Sequence, residues 1–514
     1  MKRRRLTAVA AGAASLALLV SACGPGHDMA DAGGDLAIGR SADATTLLPS
    51  TTTQNADIWT LQQMYETLTL NRPDGKGVEP GLATSWHESK DKRSWTFKLR
   101  RGVEFHSGKK LTADDVVFSL NYARNAKDEK NQWASEFELV SDVKKIDDET
   151  VRIDTSKPWT PLPSYLALFA ASIYPKDFGG HDKAYMETHE DGTGPFELES
   201  WTKGQSMKLK RNPAYWKRGV PSLNTVAFNV VSDDNTRMLQ LQGGQIDIDE
   251  GPAALSMATL GRSQDITAAD FPSTRVDYFN INTKAKGLDD PKVRRAMSYA
   301  LNRDAIVKVV YGGYAQAANS YISPGLAGHD DRVNGGEYNM DKARQLMRES
   351  SHPNGVDVTL QITAGDEERE LQAQIAQQTW ADLGIRIKIQ KLDSATMTTN
   401  RSTGKFDIAA SYATSDVADT SQMIAFMGIT DGSGIRSGYA NPDVKRWYGE
   451  SLVESDTKKR NALFGKIQQR VADDAPLIPI VFRPAMYGVS KQVQGFRPAV
   501  LGTYGLKETR LERD

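Results

Sequence analysis

The chain has 514 residues, with 64 Lys and Arg against 65 Asp and Glu, so its formal charge at pH 7 is −1. This balance argues against a nucleic-acid-binding protein, which would carry a basic stripe or a strongly basic domain. The single cysteine, Cys23, excludes an intrachain disulfide, and a structural zinc site usually needs more than one sulfur or a group of histidines. A chain of this length exceeds what one hydrophobic core normally serves, which predicts two or three domains.

The N-terminal segment has the features of a lipoprotein signal. A short basic head is followed by a small, apolar run over residues 6–20, which is too short to span a bilayer comfortably. The next residues, VSAC at 20–23, resemble the lipobox of bacterial lipoproteins, in which the cysteine is acylated and becomes the new N-terminus. We therefore expect residues 1–22 to be a signal peptide, Cys23 to be lipidated, and the glycine-containing stretch 23–35 to be a flexible tether. A plain signal peptide with an incidental cysteine is the alternative.

The rest of the chain indicates a soluble body. After residue 22 no apolar run approaches the roughly 20 residues of a membrane span. Without the first 22 residues the chain has 60 Lys and Arg against 65 Asp and Glu, a formal charge of −5. We expect the mature protein to lie outside the cytoplasm, at the outer face of the cytoplasmic membrane or in the periplasm, and to touch the membrane only through its lipid.

Strands and helices alternate along the chain. Residues 94–100 alternate apolar and polar side chains, which predicts a half-buried strand, and residues 385–390 repeat this pattern. Residues 112–115 (TADD) have the form of a capping box at the start of a helix. Asp290 followed by Pro291 predicts another helix start, with a buried face formed by Val293, Ala296, Met297, Ala300 and Leu301. The interspersed pattern predicts a mixed α/β fold.

Motifs of known catalytic chemistry are missing from the sequence. It contains neither a G-x-S-x-G nucleophile elbow nor an H-E-x-x-H zinc motif, and its seven histidines are scattered. We therefore predict no catalytic residue, no metal ligand and no cofactor. A secreted hydrolase remains an alternative, for which the sequence offers neither a nucleophile nor a metal site.

Eight segments, in the same order along the chain, together span nearly all of residues 36–500. The first is the stretch 61–125, which begins with LQQMYETLTL. The others are GTGPFELESW (192–201), LKRNPAYW (209–216), LQGGQIDI (241–248), residues 278–307, YNMDKARQLM (338–347), WADLGIRIKI (380–389) and DDAPLIPI (473–480). Together these segments resemble the extracellular solute-binding proteins of family 5, the peptide- and nickel-type substrate-binding subunits of ABC importers. The resemblance implies a periplasmic-binding-protein-like fold of the class II type, with two lobes, a hinge and three domains.

The resemblance also implies the order of the domains and the function. The first domain would be assembled from three pieces, with two domains inserted between them: 36–75, 192–285 and 478–514 for the first, 76–191 for the second and 286–477 for the third. The protein would capture a di- or oligopeptide between the closing lobes and deliver it to ABC permease subunits with cytoplasmic ATPases. We expect a monomer. A nickel chelate, an oligosaccharide or an opine-like metabolite is the alternative solute.

The ligand-binding residues implied by the resemblance come from separate parts of the chain: Thr53, Tyr278, Asn280, Tyr412 and Asp416. In peptide-binding relatives an aspartate in a motif like SDVAD (415–419) pairs with the α-ammonium of the ligand, which makes Asp416 the principal candidate. Some dipeptide receptors hold the carboxylate of the ligand with an arginine near the end of the strand that we assign to residues 358–363. This chain has Thr363 there, so a dipeptide held at both ends is in doubt, and a longer peptide or a cationic ligand gains ground.

Overall fold

The computed structural model describes residues 33–426 and 436–512. The predicted signal peptide and Cys23 lie outside the described residues. The backbone N–H of Gly33 donates to the carbonyl of Ser222 at 3.0 Å, and the first strand begins at Asp35. The described fold thus includes the last three residues of the predicted tether. Within the described ranges, the helices are all too short or too polar to span a bilayer.

The strands, in chain order, are β1 (Asp35–Arg40), β2 (Thr69–Asn71), β3 (Val78–Pro80), β4 (Ala83–Glu88), β5 (Ser94–Leu99), β6 (Val140–Asp147), β7 (Thr150–Thr155), β8 (Phe196–Thr202), β9 (Ser206–Arg211), β10 (Thr225–Val230), β11 (Ile248–Glu250), β12 (Ile266–Phe271), β13 (Val276–Ile281), β14 (Gln316–Ala317), β15 (Val356–Thr363), β16 (Ile385–Leu392), β17 (Ile408–Ala413), β18 (Leu477–Phe482), β19 (Ala485–Ser490), β20 (Val493–Gln494) and β21 (Arg510–Leu511).

The α-helices are α1 (Asn55–Met64), α2 (Ala113–Ala123), α3 (Leu162–Tyr165), α4 (Lys183–Met186), α5 (Asp234–Gln242), α6 (Met257–Leu260), α7 (Pro291–Ala300), α8 (Arg303–Tyr311), α9 (Met340–Arg348), α10 (Glu367–Ala381), α11 (Ser394–Thr403), α12 (Thr420–Phe426), α13 (Pro442–Ser451) and α14 (Thr457–Asp474). Short 3₁₀ turns lie at Pro49–Thr51, Ala134–Phe137, Phe169–Ala171, Lys176–Gly180, Ala254–Ser256 and Leu506–Glu508.

Three larger sheets organise the molecule. A seven-stranded sheet has the order β12-β19-β11-β1-β10-β9-β8, and a six-stranded sheet has the order β14-β18-β13-β17-β15-β16. A four-stranded antiparallel sheet, β4-β5-β7-β6, forms a separate unit. The two larger sheets mix parallel and antiparallel pairs, because the chain leaves and re-enters each sheet several times.

The predicted local elements are confirmed. Helix α2 begins after Thr112, whose N–H donates to the Asp115 carboxylate at 2.8 Å, completing the capping box. Helix α7 begins at Pro291, and the side chain of Asp290 caps it by accepting the N–H of Lys292 at 2.8 Å. The five residues of its expected apolar face are all buried in the core that covers the six-stranded sheet: Val293, Ala296, Met297, Ala300 and Leu301.

Sheet membership differs from the expected domain boundaries at two strands. The boundaries at residues 285 and 478 assign β13 and nearly all of β18 to the first domain, but both strands lie in the six-stranded sheet. In that sheet β13 lies between β18 and β17 and pairs with both. The chain therefore passes between the two large sheets at residues 272–275 and again at residues 483–484.

These two passages run side by side, and we call residues 272–275 and 483–484 the crossing ribbon. It joins β12 to β13 in one direction and β18 to β19 in the other. The N–H of Arg483 donates to the carbonyl of Arg275 at 3.2 Å, and the hydroxyl of Ser273 donates to the carbonyl of Arg483. A paired two-strand connection between two lobes is a geometry in which a few backbone dihedrals can act as a hinge.

Candidate ligand-binding site

A cavity of about 210 Å³ lies at the crossing ribbon, where the two large sheets meet. Its walls come from chain segments far apart in sequence, and the residues that matter below are Trp59, Glu250, Arg275, Tyr412, Asp416 and Arg483. A concave site between lobes that carries a few polar groups is the usual form of a small-molecule site.

Asp416 follows the end of β17 and is held by its backbone. Its N–H donates to the side-chain carbonyl of Gln422 at 2.9 Å, and its own carbonyl accepts the side-chain amide of Asn71 at 3.2 Å. Among the described residues, its carboxylate has no hydrogen-bond or ion-pair partner. Burial, with a smaller contribution from the charge of Glu136, raises the pKa of this carboxyl to about 7. The site therefore presents a carboxyl group that lacks a cation.

Asp419, three residues further on, is fully engaged. Its two carboxylate oxygens take two N–H groups of Arg460, at 2.5 and 2.9 Å, and the side chain of Asp419 is only 5% exposed. It also accepts the N–H and the hydroxyl of Ser421 at 2.9 and 2.6 Å. This second aspartate of the motif holds the loop in place, so the unpaired charge belongs to Asp416.

Glu250 is a second acidic group in the cavity wall. Burial raises the pKa of the Glu250 carboxyl, which accepts the hydroxyl of Tyr504. Trp59 packs edge-on against Tyr504 with ring centroids 5.7 Å apart. The loop closes over this tryptophan at Gly502, where φ is +94° and an added Cβ would come within 2.4 Å of the indole nitrogen. Only glycine fits this approach without moving the indole.

Tyr412, at the end of β17, is 42% exposed and lines the cavity. The guanidinium of Arg275 lies 4.3 Å from its ring centroid, and that of Arg369 lies 5.0 Å away. Cation–π contacts of this kind orient an aromatic ring that would otherwise be free. Tyr412 therefore presents a fixed aromatic face to the cavity.

Arg275 is held by a buried network of hydrogen bonds. Its Nε and Nη2 donate to the two oxygens of Asp277 at 2.7 and 3.2 Å. Tyr311 donates its hydroxyl to Asp277 at 2.9 Å and accepts the side-chain amide of Gln372 at 2.6 Å. Burial acts to raise the pKa of the Asp277 carboxyl, but the charge and hydrogen bonds of Arg275, together with the charges of Arg483 and Arg369, hold the pKa below its usual value.

Arg483 pairs with a different carboxylate, that of Glu368. Its Nη1 donates to Glu368 at 2.6 Å, with side-chain exposures of 15% and 23%. Burial raises the pKa of Glu368, against the opposing effect of Arg483. Both arginines of the cavity wall are thus paired, but each is paired through only part of its guanidinium group.

The structure brings together two of the five predicted ligand-binding residues. Asp416 and Tyr412 line the cavity, whereas Thr53 is exposed on the segment before α1 and does not line it. Tyr278 and Asn280 do not line it either, because both side chains are interior to the six-stranded sheet at 1% and 0% exposure. Tyr278 and Asn280 are thus not part of this cavity wall, and their contact with a ligand stays a prediction.

Sequence reasoning missed Arg275, Arg483 and Glu250. The sequence did hold one signal: in TRVDYFN (274–280) an arginine and an aspartate stand two positions apart, on one face, within an apolar strand pattern. Thr363 ends β15 and is not part of the cavity wall. The described residues contain no group of three or more His, Cys, Asp or Glu side chains placed to hold a metal ion.

Two mixed α/β lobes joined by a paired crossing, with a cavity between them, define a solute-binding protein with the periplasmic-binding-protein-like fold. The family model of the bacterial extracellular solute-binding proteins, family 5 (middle), matches residues 77–434. The chain belongs to this family, and both the predicted family and the predicted fold class are confirmed. Proteins of this family act as extracytoplasmic binding proteins.

Named relatives bind small solutes. The dipeptide-binding protein of Escherichia coli strain K12 is 30% identical over 468 residues, covering 85% of this chain and 86% of the relative. The glutathione-binding protein of Salmonella choleraesuis strain SC-B67 is 27% identical over 484 residues, covering 90% and 91%. A periplasmic binding protein of Helicobacter pylori, solved in complex with the peptide STSA, superposes with a TM-score of 0.82 at 25% identity, covering 93% of this chain and 98% of the other.

Proposed function

We propose that this protein captures short peptides outside the cytoplasm and delivers them to an ABC permease. The observation that carries the proposal is the carboxyl group of Asp416, which lines the cavity and has no cationic partner among the described residues. The α-ammonium of a peptide supplies the missing cation. The named solutes of the relatives, a dipeptide and glutathione, support this ligand class.

The electrostatics favour binding of an ammonium group. A raised pKa of about 7 means that ionised Asp416 is poorly stabilised in the empty site. A ligand ammonium would restore that stabilisation through a charge-assisted hydrogen bond. Closure of the lobes would exclude water and strengthen the contact further.

The size of the cavity favours a short ligand. At about 210 Å³ it lies below the roughly 300–1,000 Å³ typical of sites for drug-sized molecules. Tyr412 offers an aromatic face beside the ligand, and neither lobe buries the site alone. A peptide of two or three residues fits this description better than a long one.

The remaining parts of the proposal come from the family and the N-terminal motif. The delivery partner would be the membrane permease with its cytoplasmic ATPases. The predicted lipid on Cys23 would keep the receptor beside that permease, attached to the cell membrane. We propose that it works as a monomer.

Titration calorimetry tests the proposal with a panel of Ala-Ala, Ala-Phe and Ala-Ala-Ala and their N-acetylated forms. The wild-type protein should bind at least one free peptide and lose about two to four decades of affinity on acetylation, as expected when one partner of a buried charge pair is removed. Asp416→Asn should be weak for both forms. Asp341→Asn, at a side chain that is 98% exposed, is the matched control and should behave as wild type.

Native mass spectrometry of protein purified from its host identifies the ligand class independently. A ladder of peptide masses supports the proposal. A discrete non-peptide molecule or a metal adduct, together with failure of the whole peptide panel, would contradict it in favour of a different solute.

A further inference from the structure

The four-stranded unit, which contains β4 to β7, contacts the loop that carries Asp416. We propose that Glu136 of this unit is a positioning residue of the ligand site, which acts through Gln422 to hold the carboxyl group of Asp416 in place. This inference rests on the proposed function and adds to it that the four-stranded unit takes part in ligand binding. Glu136 lies in the 3₁₀ turn Ala134–Phe137, between α2 and β6.

Gln422, in α12, links Glu136 to Asp416. Its side chain is 0% exposed, and its carbonyl oxygen accepts the backbone N–H groups of Asp416 and Val417 at 2.9 and 3.3 Å. Because that oxygen is committed to two donors, the amide nitrogen points away from the loop, and it donates to the Glu136 carboxylate at 3.3 Å. Glu136 therefore fixes the direction of the amide group, and the amide group fixes the backbone at Asp416.

A second amide side chain binds the same loop. Asn71, in β2, donates to the carbonyl of Asp416 at 3.2 Å and accepts the N–H of Ala418 at 3.0 Å. The N–H and the carbonyl of Asp416 are thus both bonded to side chains of other elements. A backbone held in this way sets the position of the Asp416 carboxyl before a ligand arrives, which lowers the ordering cost of binding.

The loop is also anchored to the four-stranded unit by an apolar side chain. Val417 is 0% exposed and belongs to the same apolar core as Trp133 and Phe137, which flank Glu136 in this unit. Among the described residues, it is the only buried member of this core from beyond residue 173. Withdrawing Val417 would expose its side chain to water at a cost in free energy, so the position of the loop is coupled to that of the unit.

The charges of Glu136 and Asp416 also interact. The charge of Glu136 contributes to the raised pKa of Asp416. Burial raises the pKa of Glu136 itself, against the hydrogen bond from Gln422. Within the described ranges, neither carboxylate has a cationic partner. A ligand ammonium bound at Asp416 would therefore be attracted by Glu136 as well.

A second contact fixes the orientation of the four-stranded unit. The N–H of Thr160 and the ammonium of Lys92 donate to the carbonyls of Leu452 and Val453, both at 2.9 Å. These two carbonyls follow α13, which packs against α12, the helix that carries Gln422. With contacts at two separate places, the unit keeps Glu136 opposite Gln422.

Titration calorimetry tests this inference with the best-binding peptide of the panel and, by competition, its N-acetylated form. Glu136→Ala removes the acceptor of the Gln422 amide, so affinity for the free peptide should fall by about 3–30-fold, the effect of one lost hydrogen bond. The acetylated peptide has no ammonium for Asp416 and should bind as it does to wild type. The preference for the free amino terminus should therefore shrink by the same factor.

Two further variants separate positioning from a purely structural role. Glu136→Gln keeps an acceptor oxygen and should restore most of the preference. Glu136→Asp withdraws the carboxylate by one methylene and should lose part of the preference, and it carries the test if thermal unfolding shows that Glu136→Ala does not fold. Glu129→Ala, at an exposed residue of the same unit, is the matched control and should behave as wild type.

An unchanged preference for the free amino terminus in the folded Ala and Asp variants would overturn the inference. An equal loss of affinity for the free and the acetylated peptide would also overturn it, because Glu136 would then only stabilise the fold. In either case the proposed function stands if Asp416→Asn still binds the free peptide weakly. Absence of binding of every peptide by the wild-type protein would overturn both.

Discussion

The hydroxyl oxygen of Thr274 accepts the backbone N–H of Ser415 at 2.9 Å, with both residues 1% exposed. This bond ties the crossing ribbon to the loop that carries Asp416. The two residues are 141 positions apart in the chain, so the loop position depends on a tertiary contact. The proposed ammonium-binding group is therefore held by the segment that also carries Arg275.

Replacing this threonine should weaken ligand binding without unfolding the protein. Thr274→Val keeps the volume but leaves the N–H of Ser415 without a partner, at a cost of about 1–3 kcal/mol in stability. We expect a lower melting temperature and at least a tenfold loss of affinity for the best peptide of the panel. Thr274→Ser keeps the hydroxyl and should retain most of both. Unchanged affinity in Thr274→Val would show that the loop is held independently of this bond.

The pKa of about 7 at Asp416 predicts that peptide binding depends on pH. An ammonium ligand needs the ionised carboxylate, so affinity should fall as the pH drops below 7. Since one pH unit corresponds to a factor of ten in the ionised fraction, binding at pH 5.5 should be about 10–30-fold weaker than at pH 7.5. Calorimetry at both values measures this. Asp416→Asn should show no such dependence, and a flat wild-type profile would count against the assignment.

The same pKa predicts a change in the stability of the ligand-free protein. The folded-state pKa of Asp416 lies above the model value of 3.8, so between about pH 4 and 7 the folded state holds a proton that the unfolded chain has lost. Stability from this group therefore falls as pH rises through that window. In thermal unfolding, the stability of Asp416→Asn relative to wild type should increase from pH 4 to pH 7. Above pH 7 the difference in stability between the two proteins should stay constant.

A second titrating group lies between the four-stranded unit and the segment before β8. The ring of His106 contacts Glu190 at 2.6 Å through Nδ1 and the carbonyl of Gly194 at 3.0 Å through Nε2. Both partners are acceptors, so the ring donates from both nitrogens and is protonated. Burial acts to lower the pKa of His106, but Glu190 outweighs it, and the net pKa is raised.

His106→Gln should therefore destabilise the protein in a pH-dependent way. A raised folded-state pKa gives stability that is fully present below the ordinary histidine value and is lost as pH rises through the folded-state pKa. We expect a loss of about 1–3 kcal/mol at pH 6 that shrinks at alkaline pH. Denaturant unfolding at pH 6 and pH 9 checks this, with the exposed His87→Gln as control. An equal loss of stability at pH 6 and pH 9 would mean that His106 is uncharged in this contact.

The lipid anchor predicts a clear change in partitioning. Cys23→Ala removes the sulfur that would carry the lipid, so the protein should be released from membranes or remain unprocessed. Phase separation in Triton X-114 measures this, with wild type in the detergent phase and the variant in the aqueous phase. Continued partitioning of the variant into detergent, after cleavage of the signal, would rule out the lipoprotein assignment.

Much of the local structure was determined by the sequence alone. The caps at Thr112 and Asp290 and the buried face of α7 are short-range features, because a helix start depends on residues within one turn. The collinear family segments extend over nearly the whole chain, and they were sufficient to predict the fold class and the family. Asp416 and Tyr412 both line the cavity, since they stand four positions apart on one stretch of chain, and their contact with a ligand stays a prediction.

The composition of the cavity wall was decided only by the tertiary structure. Every residue of β13 is buried, so its apolar pattern does not show which side chains face a ligand. The resemblance implied ligand contacts for Tyr278 and Asn280, but the sheet encloses both side chains. Ser273 and Arg483 bond to each other across 210 positions of sequence. Arg275 and Arg483 meet at the cavity because two strands of each large sheet continue into one paired crossing, a long-range arrangement that no local pattern encodes.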